Sequence, residues 1–320
     1  MTTTLPPRSA RAWWRDAVTY QIYIRSFADS NGDGKGDVEG IRSRLPYLKR
    51  LGIDAIWITP WYPSPQKDHG YDVADYMNIE PDYGTLDQAK KLIDEAHALG
   101  LKIIVDLVPN HSSDQHKWFQ EALRSAPGSK ARDRYMFRDG KGENGELPPN
   151  NWQAVFGGPA WHRVTEADGK PGQWYLHLFA VEQPDLNWEN EEVRAHFEDV
   201  LRFWLDRGVD GFRIDVAHGM IKAPGLPDVL DESNATPEML AAQKMPFWDQ
   251  DGVHEIYRNW RKILDSYEGD RMAVAEAWVS PASRIALYLR HDELANSFNF
   301  DFLTSSWKIK DLKRNIDSSL

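Results

Sequence analysis

Two acidic side chains stand where they could share a reaction centre. In Gly211-Phe212-Arg213-Ile214-Asp215 the strand period of two puts Arg213 and Asp215 on one face, so the guanidinium is expected to keep Asp215 ionised at neutral pH. An ionised aspartate is a competent nucleophile. In Met272-Ala273-Val274-Ala275-Glu276 the carboxyl shares its face with Met272 and Val274, and only alanines and Trp278 lie near it in sequence. Such surroundings raise a carboxyl pKa and suit a general acid. Cleavage of a glycosidic bond uses two carboxylates in opposed environments, and close placement favours the retaining, covalent route. Spacing alone equally allows a structural Arg-Asp bridge and a glutamate on a strand rim.

A second group of residues points to a metal. Asp29-Ser30-Asn31-Gly32-Asp33-Gly34-Lys35-Gly36-Asp37 sets oxygen donors at alternate positions around a glycine turn, the pattern by which a chain wraps a hard cation. Asp29, Asn31, Asp33, the Lys35 carbonyl and Asp37 are the expected Ca2+ ligands. Gly40 stands where an EF-hand carries its closing glutamate, so the reading is a lone structural loop, with a solvated acidic turn as the alternative.

The elements that must position these groups alternate. Val18–Ile24, Ala55–Thr59, Leu101–Asp106, Gly211–Asp215, Met272–Glu276 and Ala295–Phe298 read as strands. Between and after them, helical patterns cover Val38–Leu51, a stretch from Thr85 to Gly100, one from Asn190 to Gly208, Val253–Tyr267, Ala282–Leu289 and Ser305–Ile316. Thr85 and Gln88 form a capping box before the stripe Leu86, Ala89, Leu92, Ile93, Ala96 and Leu99. Asn190 caps a helix whose Val193, Phe197, Val200, Leu201, Trp204 and Leu205 share one side. Six β-α units imply parallel strands with crossover helices. No glycine-rich phosphate loop follows the first strand, and two long insertions leave from strand C-terminal ends, which favours a (β/α)8 TIM-type barrel. The division expected is residues 1–107 as the first part of the barrel, 108–189 as a small inserted domain, and 190–320 as its continuation, with a helical insertion at about 216–249. Three strands occupy roughly 90 residues, so eight units need about 240 before insertions, and the barrel is expected to be incomplete at about six units. Trp13 and Trp14 are expected to cover its bottom. His97 and His254 read as structural, and Arg132–Arg138 as a solvated segment of the insertion.

Composition removes other classes. The chain has 320 residues, 41% hydrophobic and 27% charged, the balance of a folded globular protein. With 38 Lys and Arg against 49 Asp and Glu the net charge is −11, which repels a polyanion and argues against nucleic acid as a partner. No cysteine is present, so disulfides, thiolate metal sites and cysteine nucleophiles drop out. Neither a signal-like nor a membrane-length apolar run occurs, and the reading is a soluble, cytoplasmic protein without a membrane partner. The 14 tryptophans fit a large core or a surface that stacks on sugar rings.

Four ordered motifs carry a resemblance. Asp106-Leu107-Val108-Pro109-Asn110-His111, Gly211-Phe212-Arg213-Ile214-Asp215, Val274-Ala275-Glu276-Ala277-Trp278 and Gln183-Pro184-Asp185-Leu186-Asn187 are similar to the motifs of glycoside hydrolase family 13, the α-amylase family. The last of them resembles the oligo-1,6-glucosidase and α-glucosidase branch. The resemblance implies Asp215 as nucleophile, Glu276 as acid/base and Arg213 as the support of Asp215. It also implies that Asp68 and His111 bind hydroxyls of the nonreducing-end glucose while Tyr71 stacks under the ring, with Phe179, Gln183 and more weakly Phe156 as further pocket residues. Asp106 is expected to support the barrel floor, and His218 is a further candidate for substrate contact. The Asp29–Asp37 loop resembles that branch's structural metal loop, and no organic cofactor is implied. Val216 after the nucleophile resembles members preferring α-1,6 links, where α-1,4 specialists carry Thr.

The activity implied is an exo-acting, retaining α-glucosidase on small oligosaccharides. A glucosyl transferase or isomerase of the trehalose synthase or sucrose isomerase type is the alternative, followed by a non-catalytic binding role. The family's third carboxylate lies in an Asn-His-Asp tripeptide after the seventh strand, and no such tripeptide occurs here. The chain is therefore expected to be an N-terminal fragment, weak or silent as an enzyme. Oligomeric state is not legible.

Overall fold

The structure is a computed structural model in which residues 12–230, 239 and 244–319 are described. Its strands are β1 (Thr19–Ile22), β2 (Ala55–Ile58), β3 (Lys102–Leu107), β4 (Phe137–Arg138), β5 (Trp161–Thr165), β6 (Pro171–Leu176), β7 (Gly211–Ile214), β8 (Met272–Ala275) and β9 (Asn296–Ser297). Six pair in parallel in the order β1-β2-β3-β7-β8-β9. This is a curled sheet with helices on its outer face, part of a (β/α)8 barrel, in which, among the described residues, β1 and β9 are not joined.

The strand period sorts the side chains. Ile56, Ile58, Ile103, Val105, Leu107, Phe212, Ile214, Ala273 and Ala275 face the helices in the main core. Ala55, Ile104 and Met272 point the other way, into the barrel, where Trp13, Trp14, Trp57, Val274 and Ala295 pack on them. Trp13 and Trp14 thus close the bottom as expected, and the Trp13 indole donates to the Asp270 carbonyl at 3.0 Å.

Capping chemistry fixes the helix ends. Asp37 accepts from the Gly40 amide at the start of Val38–Leu51, which ends at Gly52 with φ +89°. Thr85 and Gln88 form the reciprocal box at the start of Leu86–Ala98. Asn190 accepts from Glu192 and Val193 at the start of Glu191–Leu205, which buries the six apolar residues named above.

Two expectations need correction. The first strand ends at Ile22 rather than Ile24, because Ile24–Phe27 turns into a short helix. The metal-like loop bonds back onto that turn: the Gly36 amide reaches the Arg25 carbonyl at 2.8 Å and the Asp37 amide reaches Ala28 at 3.0 Å. A Cβ at Gly36 would stand 2.0 Å from the Ile24 carbonyl, so only glycine permits this approach. Arg132–Arg138 is not solvated. Arg132 is buried and paired with Glu166, and Tyr135, Met136 and Phe137 are buried beside it. Opposite charges let the arginine enter the core, which a sequence of mixed charge does not reveal. The helical insertion expected at about 216–249 falls in part on 231–238 and 240–243, outside the described residues, while 216–230 hold turns and irregular chain.

Between β3 and β7, strands β4-β6-β5 form a separate antiparallel sheet. Met136, Trp152, Ala154, Ala160, Trp161, Leu176, Leu178 and Phe247 make its core. Among the described residues no helix is long and apolar enough to cross a membrane.

Candidate active site

Register brings the charged groups together at the C-terminal ends of the strands. Asp106 on β3 lies opposite Arg213 on β7, and Arg213 lies opposite Val274 on β8, two residues before Glu276. One guanidinium therefore meets three carboxylates. Arg213 Nη1 is 2.9 Å from Asp106 Oδ1 and 2.5 Å from Asp215 Oδ1, and Nη2 is 3.2 Å from Glu276 Oε2. The Val216 amide donates to Glu276 Oε2 at 2.9 Å, and the Trp278 indole donates to Oε1 at 3.2 Å. Asp106 Oδ2 accepts from Trp57 Nε1 at 3.0 Å and from the Tyr71 hydroxyl at 3.2 Å. Val216 presents its amide from φ +46°, a left-handed conformation that is strained for a β-branched residue.

The electrostatics depart from the expectation that Arg213 holds Asp215 ionised. Burial pushes the Asp215 carboxyl well up, Arg213 pulls it down, and Glu276 and Asp106 add to the push. Asp106 is pushed up to about 6, again by burial first, against Arg213. The physical reason is stoichiometry: a single cation shared by three acids, Asp106 and Asp215 buried and Glu276 half-buried, cannot neutralise them all, so the cluster retains a proton. Burial also pushes the Tyr71 hydroxyl far above its ordinary value, which keeps it a neutral donor.

Above this cluster lies a cleft of about 590 Å3 lined by Asp68, Tyr71, His111, Val155, Phe156, Phe179, Arg213, Asp215, Val216, His218, Trp248, Glu276 and Trp278. Most residues singled out in the sequence therefore meet there. Gln183 does not line it; fully buried, it stands behind and donates from Nε2 to Asp68 Oδ2 at 2.9 Å, with His111 Nε2 at 3.1 Å. Asp106 likewise lies beneath, as a support. Phe179 packs against His111 at 5.1 Å between ring centroids and against Phe156 at 5.6 Å. His218 lines the cleft and lies against Trp248 at 4.7 Å; burial lowers it to about 4, so it is neutral at pH 7.

Val155 and Trp248 were missed by sequence reasoning, and Trp278 was noticed only as a neighbour of Glu276. The usable signal was an aromatic residue in a segment that follows a strand's C-terminal end. Behind the site the buried Lys222 ammonium bonds Asp185 Oδ2 at 2.8 Å, Asn110 Oδ1 at 3.0 Å and the Gly219 carbonyl, tying the ends of β3 and β7 to the segment holding Gln183.

The metal-like loop lies away from the cleft. Asp29 accepts from the amides of Asn31, Gly32 and Gly34, bonds that lower its carboxyl. Asp33 Oδ1 accepts from the Lys35 amide, while Asp37 accepts from Ser30 and caps the following helix. The donor types suit a hard cation, and the carboxylates at the same time brace the loop's own amides. Among the described residues no three His, Asp or Glu gather as a group that could hold a metal ion.

Fold and site together define a barrel of the glycoside hydrolase type, with carboxylates and an arginine on neighbouring strand ends under an aromatic-walled cleft. The chain belongs to the α-amylase family: the alpha amylase catalytic domain matches residues 21–318. It is 42% identical over 318 residues to the oligo-1,6-glucosidase of Parageobacillus thermoglucosidasius, covering 95% of this chain and 54% of that protein. The crystal structure of Bacillus licheniformis trehalose-6-phosphate hydrolase superposes with a TM-score of 0.85 at 38% identity, over 97% of this chain and 55% of that one. The trehalulose synthase of Pseudomonas mesoacidophila gives 0.85 at 37%, over the same shares. The chain thus spans about half the length of the relatives it matches.

Proposed function

We propose that this chain carries the catalytic carboxylates of an exo-acting, retaining α-glucosidase that releases glucose from the nonreducing end of short α-glucosides, with α-1,6 links preferred. Asp215 attacks C1 while Glu276 protonates the leaving oxygen, and Glu276 then activates the water that frees the sugar. The supporting observation is that Asp215 and Glu276 contact the two terminal nitrogens of Arg213, one each, at the floor of one cleft. That placement fits the short carboxyl separation, about 5 Å, of retaining enzymes. Asp68 and His111 would take hydroxyls of the sugar, Tyr71 its face, and Phe179 and Phe156 the cleft wall, with Gln183 orienting the first two. Residues 108–189 would act as one inserted domain closing that side.

The test is hydrolysis of p-nitrophenyl α-glucoside followed by NMR. α-Glucose is the expected first product, at a rate well below that of a relative carrying the Asn-His-Asp carboxylate. First release of β-glucose overturns retention, and turnover no higher than that of D215N overturns the assignment. The likeness to a trehalulose synthase keeps glucosyl transfer as the second reading. It predicts an isomer of sucrose rather than glucose and fructose when sucrose is supplied.

Calcium at Asp29, Asn31, Asp33, the Lys35 carbonyl and Asp37 is part of the proposal, as a structural clamp on the turn between β1 and the helix Val38–Leu51. Added calcium should raise the melting temperature and a chelator lower it; indifference to both removes the metal. The setting proposed is the cytoplasm, to be checked by cell fractionation.

A further inference from the structure

The two oxygens of Glu276 are held differently. Oε2 accepts from the Val216 amide at 2.9 Å and is ion-paired with Arg213 Nη2 at 3.2 Å. Neither donor can give way, because one is backbone and the other a permanent cation. A proton placed on Oε2 would face both of them. Oε1 meets a single neutral donor, the indole N–H of Trp278 at 3.2 Å, against an amide and a cation at Oε2, so the acid proton is placed on Oε1, where the oxygen keeps a lone pair for the indole. Trp278 is itself held flat: its ring stacks on Phe300 with centroids 3.7 Å apart and planes 9° from parallel. Phe300 continues through Phe298 to Trp57, the residue bonded to Asp106 beneath the cleft. Trp278 nevertheless lines the cleft and keeps 53% of its surface exposed.

Resting on the reading of Glu276 as acid/base, we infer that Trp278 is a positioning residue: braced on Phe300, it aims Glu276 Oε1 at the leaving-group oxygen. In the step it serves, the Oε1–H bond breaks and an O–H bond forms on the leaving oxygen. The C1–O electron pair goes to that oxygen, C1 bonds to Asp215, and Glu276 is left as a carboxylate held by the same indole. Because indole N–H only donates, it favours the ionised form and eases the proton's departure.

Trp278→Phe keeps the stack and removes the donor. Glu276 also faces Arg213 and Asp215 from the end of β7, Asp106 from β3, Tyr71 from the loop after β2, and His218. All of these remain in the variant. Titration of the Glu276 carboxyl by 13C NMR, assigned with E276Q, should show a higher midpoint in W278F than in the parent chain. An unmoved midpoint overturns the inference, whether or not the chain turns over substrate. Kinetics give the second readout. α-Glucosyl fluoride needs little help from an acid, whereas isomaltose needs a proton on its leaving oxygen, so kcat in W278F should fall about tenfold further on isomaltose than on the fluoride. Equal losses on the two substrates overturn the positioning role. A parent chain silent on both sinks the glucosidase reading instead, and the titration still decides the role of Trp278.

Discussion

The two ends of β7 carry opposite electrostatic designs. At its start, Asp210 is one buried acid among three basic groups, 2.6 Å from His97 Nε2, 3.0 Å from Lys102 Nζ and 2.8 Å from Arg271 Nη1, and it accepts the Ile103 amide at 2.9 Å. Burial raises its carboxyl, but His97, the Ile103 amide and Lys102 outweigh burial and leave it lowered. At the other end, Arg213 is one cation among three acids, and burial leaves Asp106 and Asp215 raised. Only the four residues of β7 separate Asp210 from Asp215. The lower end satisfies its charge and fastens β3, β7 and β8 together. The upper end leaves its charge unsatisfied, and a retained proton is what an acid/base site needs.

Breaking each end should therefore cost different things. D215N should lower kcat/KM by on the order of 10^4-fold or more, since the covalent route loses its nucleophile. Its melting temperature at pH 7 should hold or rise, because one acid has left a crowded cluster. D210N should do the reverse. Three basic groups would face a neutral amide, costing roughly 3 kcal/mol in urea unfolding, while turnover per folded molecule stays within about twofold. A D215N protein that unfolds easily, or a D210N protein that is stable but inactive, would mean the contrast between the ends is misread.

The helix ends and half of the upper design could be read from the sequence, but not the lower design, whose Asp210 meets His97, Lys102 and Arg271 only across the fold. The capping chemistry of Thr85 and Asn190 is local, and it held to the residue. So did the pairing of Arg213 with Asp215, two residues apart on one strand. What failed was the count of acids. Asp106 enters the cluster only through the register that sets β3 against β7, a fact distributed over 107 residues of chain. With that third carboxylate unseen, one arginine looked sufficient to keep Asp215 charged. Arg132 failed for the same reason, because its partner Glu166 lies 34 residues away. Trp248 escaped because nothing local marks which aromatic residue of an insertion folds back over a strand end.

The contrast also has a pH signature. Asp106 takes its proton more readily when folded, with its carboxyl at about 6 against an ordinary 3.8. It contributes stability that is complete below about pH 4 and is lost as pH rises through 6, on the order of 3 kcal/mol. Asp210 is lowered and acts with the opposite sign: its contribution is present above the ordinary aspartate range and is lost as pH falls through its folded value. Urea unfolding of the parent chain and of D106N at several values between pH 4 and 6 isolates the upper end. D106N should flatten the loss of stability with rising pH; an unchanged slope would show that Asp106 titrates as it does in the unfolded chain.

The finest test stays within the upper end. Val216 is buried, strained at φ +46°, directly follows Asp215 and itself supplies the amide that holds Glu276 Oε2. V216T preserves branching and backbone demands, so the amide stays on Glu276 and the acid/base pair is unaltered. What changes is one hydroxyl in the cleft wall. If Val216 sets linkage preference, the ratio of kcat/KM for isomaltose to that for maltose should shift toward maltose by about fivefold, the worth of one hydrogen bond. An equal loss on both substrates would assign Val216 to holding Glu276 through its backbone alone, and selectivity would then have to come from the aromatic walls of the cleft.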